Sequence, residues 1–273
     1  MSANKSDKEL AFLHELYVAT DWGERFAVLV DEHVKLPKKG RALYVGSGTG
    51  VHAMSLGERA GDDLNLVCVD ESEERLELAR AKAMVMRIEP EFRRNQLEAL
   101  SFEDDEFDLV VGDATLISPE RLPEIVAEMV RVAAPGGTLA LSLPTSSSFG
   151  EFFSIYWEAL RRADLEEHAA NVESLIKSLP TVSEIERLVE REGVAGITSW
   201  TSIEEFEYES GEEFLNSPLI TDFLLKGWLE SLPDGDVRAR VSQEIGSLID
   251  EERHEMNFTL SVKATLVVGR KAE

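Results

Sequence analysis

The chain has 273 residues, 43% of them hydrophobic and 30% charged, the balance of a water-soluble globular protein with enough length for a sizeable core. Its 53 acidic residues against 28 basic ones give a formal charge of -25, which disfavours nucleic-acid backbones and anionic membrane surfaces as partners. One cysteine, Cys68, rules out an intrachain disulfide, and no run has the length of a membrane span. The polar start, Met1 to Lys8, does not read as a signal peptide, so a cytoplasmic location is expected.

From Glu9 to Val34 apolar residues recur at helical spacing (Leu10, Leu13, Leu16, Tyr17, then Phe26, Leu29 and Val30). The spacing predicts two helices with a break near Thr20–Gly23, Asp21 capping the second. Tyr17 and Trp22 are candidates to close over a ligand, although packing on a sheet explains each more simply. Pro37 to Gly40 reads as a turn into the first strand.

The run Leu43-Tyr44-Val45 then empties into Gly46-Ser47-Gly48-Thr49-Gly50, and Val51 to Ala60 reads as a helix. Alternate glycines permit positive φ and let a ligand lie against the backbone. A second apolar run, Leu64 to Val69, ends in Asp70, whose carboxylate is placed to accept hydrogen bonds from ribose hydroxyls. Together these residues predict a nucleoside-containing cofactor at the first two strand ends. The dinucleotide pattern G-x-G-x-x-G fits poorly, because Val51 stands where its third glycine belongs, and the Lys-Ser/Thr pair of a triphosphate loop is absent. An NAD-linked oxidoreductase is therefore disfavoured.

Ser72 is a plausible cap for a helix from Glu73 to about Arg87, and Phe92 to Asn95 reads as a short strand running up to Gln96. Phe107 to Val111 is a strand, Glu120 to Val132 a helix stopped by Pro135-Gly136-Gly137, and Thr138 to Leu143 a fifth strand. A small-residue loop, 145–150, leads into an aromatic-rich helix with Phe149, Phe152, Phe153, Tyr156 and Trp157. Adjacent aromatics cannot share one helix face. Phe149, Phe153, Tyr156 and Trp157, with Tyr17, are therefore candidates for a lid over an apolar substrate. A further helical stretch runs to about Leu179, and Thr181 or Ser183 caps the next helix with Glu184. Ile197 to Tyr208 alternates as a strand, helices run from about Gly211 to Glu255 with a break at Pro233-Asp234-Gly235, and Phe258 to Val268 closes the chain as a strand.

Four motifs in order resemble the class I S-adenosylmethionine-dependent methyltransferases, of the methyltransferase type 11-like kind. They are Val45 to Gly50, Val69-Asp70-Glu71-Ser72, Leu100-Ser101-Phe102 through Phe107-Asp108-Leu109-Val110, and Val130 to Leu139. The resemblance implies an α/β fold: a doubly wound seven-stranded Rossmann-like sheet, mostly parallel with an antiparallel last strand, carrying helical cap insertions. It implies one methyltransferase domain over residues 1–273, with N-terminal helices at 9–36. The core sheet would occupy 41–145 and continue at 181–210 and 257–271, and the caps about 146–180 and 211–256. It implies S-adenosylmethionine as cofactor, held by Gly46, Ser47, Gly48, Gly50, Asp70, Glu71, Gln96, Leu97 and Gly112. Two positions depart from the family: Tyr44 replaces an acidic residue that helps to orient the cofactor's amino-acid end, and Gln96 replaces an aspartate that meets the adenine amino group.

Methyl transfer from a sulfonium asks mainly for alignment and exclusion of water, so no catalytic signature is required. Asp113 is the carboxylate best placed to meet a substrate proton, with capping of Thr115 as its structural alternative. His52 is the histidine nearest the turn; His14, His33, His168 and His254 are scattered, and no metal-ligand spacing occurs. Gly112-Asp113-Ala114-Thr115 lacks the Asn/Asp-Pro-Pro-Tyr motif of relatives that methylate exocyclic or amide nitrogens, and no Pro-Cys nucleophile is present. The expectation is methylation of a small molecule at oxygen or carbon, without nucleic acid, membrane or metal, and with a homodimer left open. A non-catalytic binding or regulatory module on the same fold is the alternative. A weaker likeness of the 145–152 loop to malonyl-carrier O-methyltransferases raises carrier-linked carboxyl methylation.

Overall fold

The computed structural model describes residues 5–61, 63–233, 235–252 and 256–273. The expectations for Met1 to Asn4, Asp234, His254 and Glu255 fall outside these described residues.

The N-terminal segment holds together through a capping box. Ser6 Oγ accepts from the Glu9 N–H while the Glu9 carboxylate accepts from the Ser6 N–H, opening α1 (Asp7–Leu13). No break follows. The helix widens into a π-helical run, His14–Trp22, and returns to α geometry as α2 (Gly23–His33). The Gly23 N–H reaches the Val18 carbonyl, the i→i+5 bond of a π turn, and Asp21 pairs with Arg25 across 2.7 Å instead of capping. The widened turn turns His14, Val18 and Trp22 inward and leaves Leu16 and Tyr17 exposed (48% and 45%). The expected inward stripe of Leu16 and Tyr17 is thus corrected by the change of helical pitch.

Next come β1 (Gly40–Val45), α3 (Val51–Ala60), β2 (Leu64–Asp70), α4 (Glu73–Met86), β3 (Glu91–Arg94), β4 (Phe107–Asp113), α5 (Leu122–Val132) and β5 (Ala133–Pro144). These are followed by α6 (Gly150–Arg162), α7 (Ala169–Ser178), α8 (Val182–Arg191), β6 (Val194–Tyr208), α9 (Gly211–Asn216), α10 (Leu225–Trp228), α11 (Asp236–Glu252) and β7 (Phe258–Lys271). The seven strands form one sheet in the order β3-β2-β1-β4-β5-β7-β6. Strands β3, β2, β1, β4 and β5 pair in parallel, and the last strands run antiparallel.

Parallel strands are buried on both faces, which explains the near-continuous apolar runs of β1, β2 and β4. Against one face lies α5, whose Leu122, Ile125, Val126 and Met129 repeat at i, i+3, i+4 and i+7. Gly112 belongs to this packing. A Cβ there would lie 2.6 Å from Met129 Cε, so the missing side chain makes room for α5. The Cys68 thiol is buried in β2, and burial raises its pKa. Register pairs Val45 with Val69 on one side and Gly112 on the other, bringing the ends of β1, β2 and β4 to one edge.

The chain divides into two compact units where the sequence suggests one domain with insertions. The first comprises 1–143, 181–202 and 264–273; the second comprises 144–180 and 203–263. Within the second, α6 packs on α7 and α11, and α9 also packs on α11. Its interior is aromatic: Phe152 stacks on Trp228 at 4.2 Å, and Phe149, Phe153, Tyr156 and Phe214 are buried around the pair. The expectation that Phe149, Phe153 and Tyr156 turn toward a substrate is corrected accordingly, since these rings supply this unit's own core. Trp157 alone of the α6 aromatics points elsewhere, 43% exposed.

Candidate functional site

At the shared edge of β1, β2 and β4 the chain makes a cleft with a cavity of about 90 Å³. Its floor is the glycine turn. Gly46 and Gly48 have φ of +74° and +56°, the left-handed region that glycine enters at little cost. Gly46 and Ser47 both donate their N–H to the Val69 carbonyl, at 3.0 and 2.9 Å, so the turn is stitched to the end of β2. A Cβ on Gly46 would lie 2.5 Å from the Asp113 carbonyl oxygen, and one on Gly48 would lie 2.6 Å from His14 Cε1. Gly50 lies apart from the cleft, close to Met54 and Ala79, where it eases the packing of α3 on α4.

Asp70, only 4% exposed, organises the neighbouring wall. Its Oδ2 accepts from the Gly48 N–H at 2.8 Å and its Oδ1 from the Ser72 N–H at 2.9 Å, with Arg75 Nη1 3.6 Å away. Ser72 Oγ in turn accepts from the Arg75 N–H and caps α4. Glu71 and Leu97 line the cleft beside it. Glu71 is clamped by Arg121, whose Nη2 and Nη1 donate to its two oxygens at 2.6 and 3.2 Å, and Arg121 also binds Glu98. That hydrogen bond from Arg121 holds the Glu98 carboxyl below the usual range. Gln96 is exposed and Gly112 is buried, and neither lines the cleft. Ser47 lines the cleft with a buried Oγ that has no hydrogen-bond partner in the structure. An orphaned hydroxyl on a glycine cradle facing a carboxylate fits a ligand bearing both donors and acceptors.

The β4 side contributes Asp113, Thr115 and Ile117. Asp113 Oδ1 accepts from the Thr115 N–H at 3.0 Å. Burial nevertheless raises its carboxyl above the ordinary range, and Asp70 adds a smaller push in that direction. A carboxyl so placed exchanges a proton closer to neutral pH. Tyr44 lines the cleft and bonds to His52, and burial, then the charge of Asp113, raises its phenol pKa.

His14, Val18 and Arg75 also line the cleft, while Tyr17 does not. None of the three is among the residues that the sequence pattern singles out for a site. The i, i+4, i+8 spacing of His14, Val18 and Trp22 was the available signal, obscured by a stronger apolar pattern. His14 is buried and its pKa falls to about 3, through burial first and then the charges of Arg75 and Lys82.

A mostly parallel sheet whose first two strand ends present a glycine turn and a carboxylate defines an α/β fold that binds a nucleoside cofactor. Residues 42–137 match the family model of the methyltransferase domain. Demethylmenaquinone methyltransferase of Deinococcus radiodurans is 32% identical over 146 residues, covering 52% of this chain and 59% of the relative, so the match spans little more than half of each. Two solved structures share the fold at low identity. The YcgJ protein of Bacillus subtilis has a TM-score of 0.61 and 18% identity, covering 92% of this chain and 99% of that one. Phosphoethanolamine N-methyltransferase 2 of Haemonchus contortus, solved with phosphomonomethylethanolamine and S-adenosylhomocysteine, has a TM-score of 0.56 and 15% identity, covering 100% of this chain and 59% of that one. The sequence likeness is thus to a methyltransferase domain, carried by residues 42–137, and the solved structures add the shared fold. Among the described residues, no helix is long and apolar enough to cross a membrane.

Proposed function

We propose that this chain moves a methyl group from S-adenosylmethionine to the oxygen or carbon of a small acceptor. The observation that carries the reading is the closure of the glycine turn on Asp70 beside the unpartnered Ser47 hydroxyl. Gly46, Ser47 and Gly48 would hold the cofactor from below, with Asp70, Glu71 and Leu97 along its side. When bound, the cofactor supplies a methyl group on a positively charged sulfur that is already a good leaving group. The residues of the chain align the acceptor, keep water out and manage a proton. Asp113 is the carboxyl suited to take a proton from the acceptor, because burial raises its affinity for one. Thr115 holds that carboxylate in place.

The test pairs calorimetry with a transfer assay. S-adenosylmethionine and S-adenosylhomocysteine are titrated into the chain, and methyl-labelled cofactor is then offered with demethylmenaquinone, the acceptor in the name of the Deinococcus relative. Micromolar binding and label in the acceptor are expected. Absence of binding to either cofactor form would sink the reading. Binding without turnover on any acceptor would instead support a non-catalytic module, the second reading, which the departure at Tyr44 favours.

A further inference from the structure

Behind Tyr44 a chain of hydrogen bonds leaves the cleft. Tyr44 Oη lies 2.7 Å from His52 Nδ1, and His52 Nε2 lies 3.1 Å from Asp31 Oδ1. The three residues come from β1, α3 and α2, and Arg59, further along α3, also binds Asp31. The His52 hydrogen bond, with smaller contributions from the charges of His52 and Arg59, holds the Asp31 carboxyl below the usual range.

The direction of each bond follows from the chemistry. An ionised carboxylate only accepts, so His52 Nε2 carries the hydrogen that faces Asp31. In the neutral ring Nδ1 is then bare and also only accepts. The Tyr44 hydroxyl must donate to it, which leaves the lone pairs of the Tyr44 oxygen facing the cleft. A neutral residue therefore stands at the cleft wall as an acceptor.

We propose that Asp31 and His52 are positioning residues that lock Tyr44 as an acceptor for the ammonium of the cofactor's amino-acid end, and that protonation of His52 releases this lock. The proposal rests on the reading that the cleft takes S-adenosylmethionine. A protonated His52 donates from Nδ1 as well, so Tyr44 must accept from it and turn its own hydrogen away. That hydrogen then meets a cation. The charged or titratable groups facing His52 are Tyr44 from β1, Asp31 from α2, Arg59 on its own helix and Asp113 at the end of β4.

The experiment is calorimetric titration of S-adenosylhomocysteine into the full chain from pH 7.5 to 5.5; an α-amino group, with a pKa of about 7.7–8.0, is mostly protonated at the top of this range and gains charge below it, which on its own would strengthen binding slightly as pH falls. If only the neutral-His52 form binds, the affinity falls about tenfold for each pH unit below a midpoint. His52→Ala is expected to bind with a flat profile, and Tyr44→Phe to bind at least about tenfold more weakly at pH 7.5, also with a flat profile. A flat wild-type profile, or the same pH dependence in His52→Ala, would overturn the proposal; the second outcome would assign the titration to Asp113. Wild-type chain that binds nothing at pH 7.5 would refute the cofactor reading itself, and the lock with it. Nitrogen-15 spectra of the wild-type imidazole give a second readout should His52→Ala not fold: an Nε2–H tautomer is expected, and an Nδ1–H tautomer overturns the proposal.

Discussion

The Gly48 N–H donates to the Asp70 carboxylate across 2.8 Å, tying the turn after β1 to the end of β2 before any ligand arrives. The other Asp70 oxygen accepts from the Ser72 N–H. Asp70→Asn keeps one acceptor but turns an NH2 group toward the other N–H. A buried donor left unpaired costs about 1–3 kcal/mol. Urea denaturation of the ligand-free variant is expected to show a loss in that range, together with weaker S-adenosylhomocysteine binding. Unchanged ligand-free stability would mean that Asp70 serves the ligand alone.

Gly48→Ala meets two obstacles. Its φ of +56° costs an L-residue about 1–2 kcal/mol, and the new methyl would press on His14. The double variant with His14→Ala is expected to recover the steric part and leave the backbone part, so the two changes should couple in a double-mutant cycle. Strict additivity of the two stability losses would show that the His14 ring yields without cost.

The sequence disclosed the strand–turn–helix floor and the strand ending in Asp70, because strands buried on both faces leave continuous apolar runs and positive φ leaves glycines. Ser72 and Thr181 were legible as caps for a local reason: each side chain reaches only three residues along the chain. What stayed hidden depends on contacts between distant residues. Nothing in the composition of His14–Trp22 marks a π turn, so the arrival of His14 over Gly48 went unseen. Gly112 reads in the sequence as part of a ligand cradle, and the packing of Met129 against it involves a distant residue of α5, which no local pattern marks. The Asp31–His52–Tyr44 chain joins three separate elements, which no spacing rule connects.

The aromatics of α6 give a contrast between two tryptophans. Trp228 stacks on Phe152 inside the second unit, whereas Trp157 on α6 is 43% exposed. Trp228→Ala is expected to cost about 3–5 kcal/mol, and Trp157→Ala to stay within about 0.5 kcal/mol. Limited proteolysis should detect the first variant opening within residues 144–180 and 203–263. Comparable losses in both variants would return Trp157 to the list of buried contacts.

His14 supplies the pH test. Its imidazole ionises at about 3 in the folded chain, against an ordinary value of 6.5, chiefly because it is buried. Above pH 6.5 both states hold the ring neutral, and His14 adds no pH dependence. Below pH 6.5 the unfolded chain takes up the proton while the folded chain refuses it. Stability is therefore lost as pH falls from 6.5 toward 3, by up to about 1.4 kcal/mol for each pH unit well inside that window. Carboxylates titrate over the same range, so the measurement is the difference between wild type and His14→Gln in urea denaturation at pH 7.5, 5.5 and 4.5. The wild-type curve is expected to fall more steeply, with the gap opening only below 6.5. Parallel curves would show that the ring reaches water in the folded state and takes its proton there.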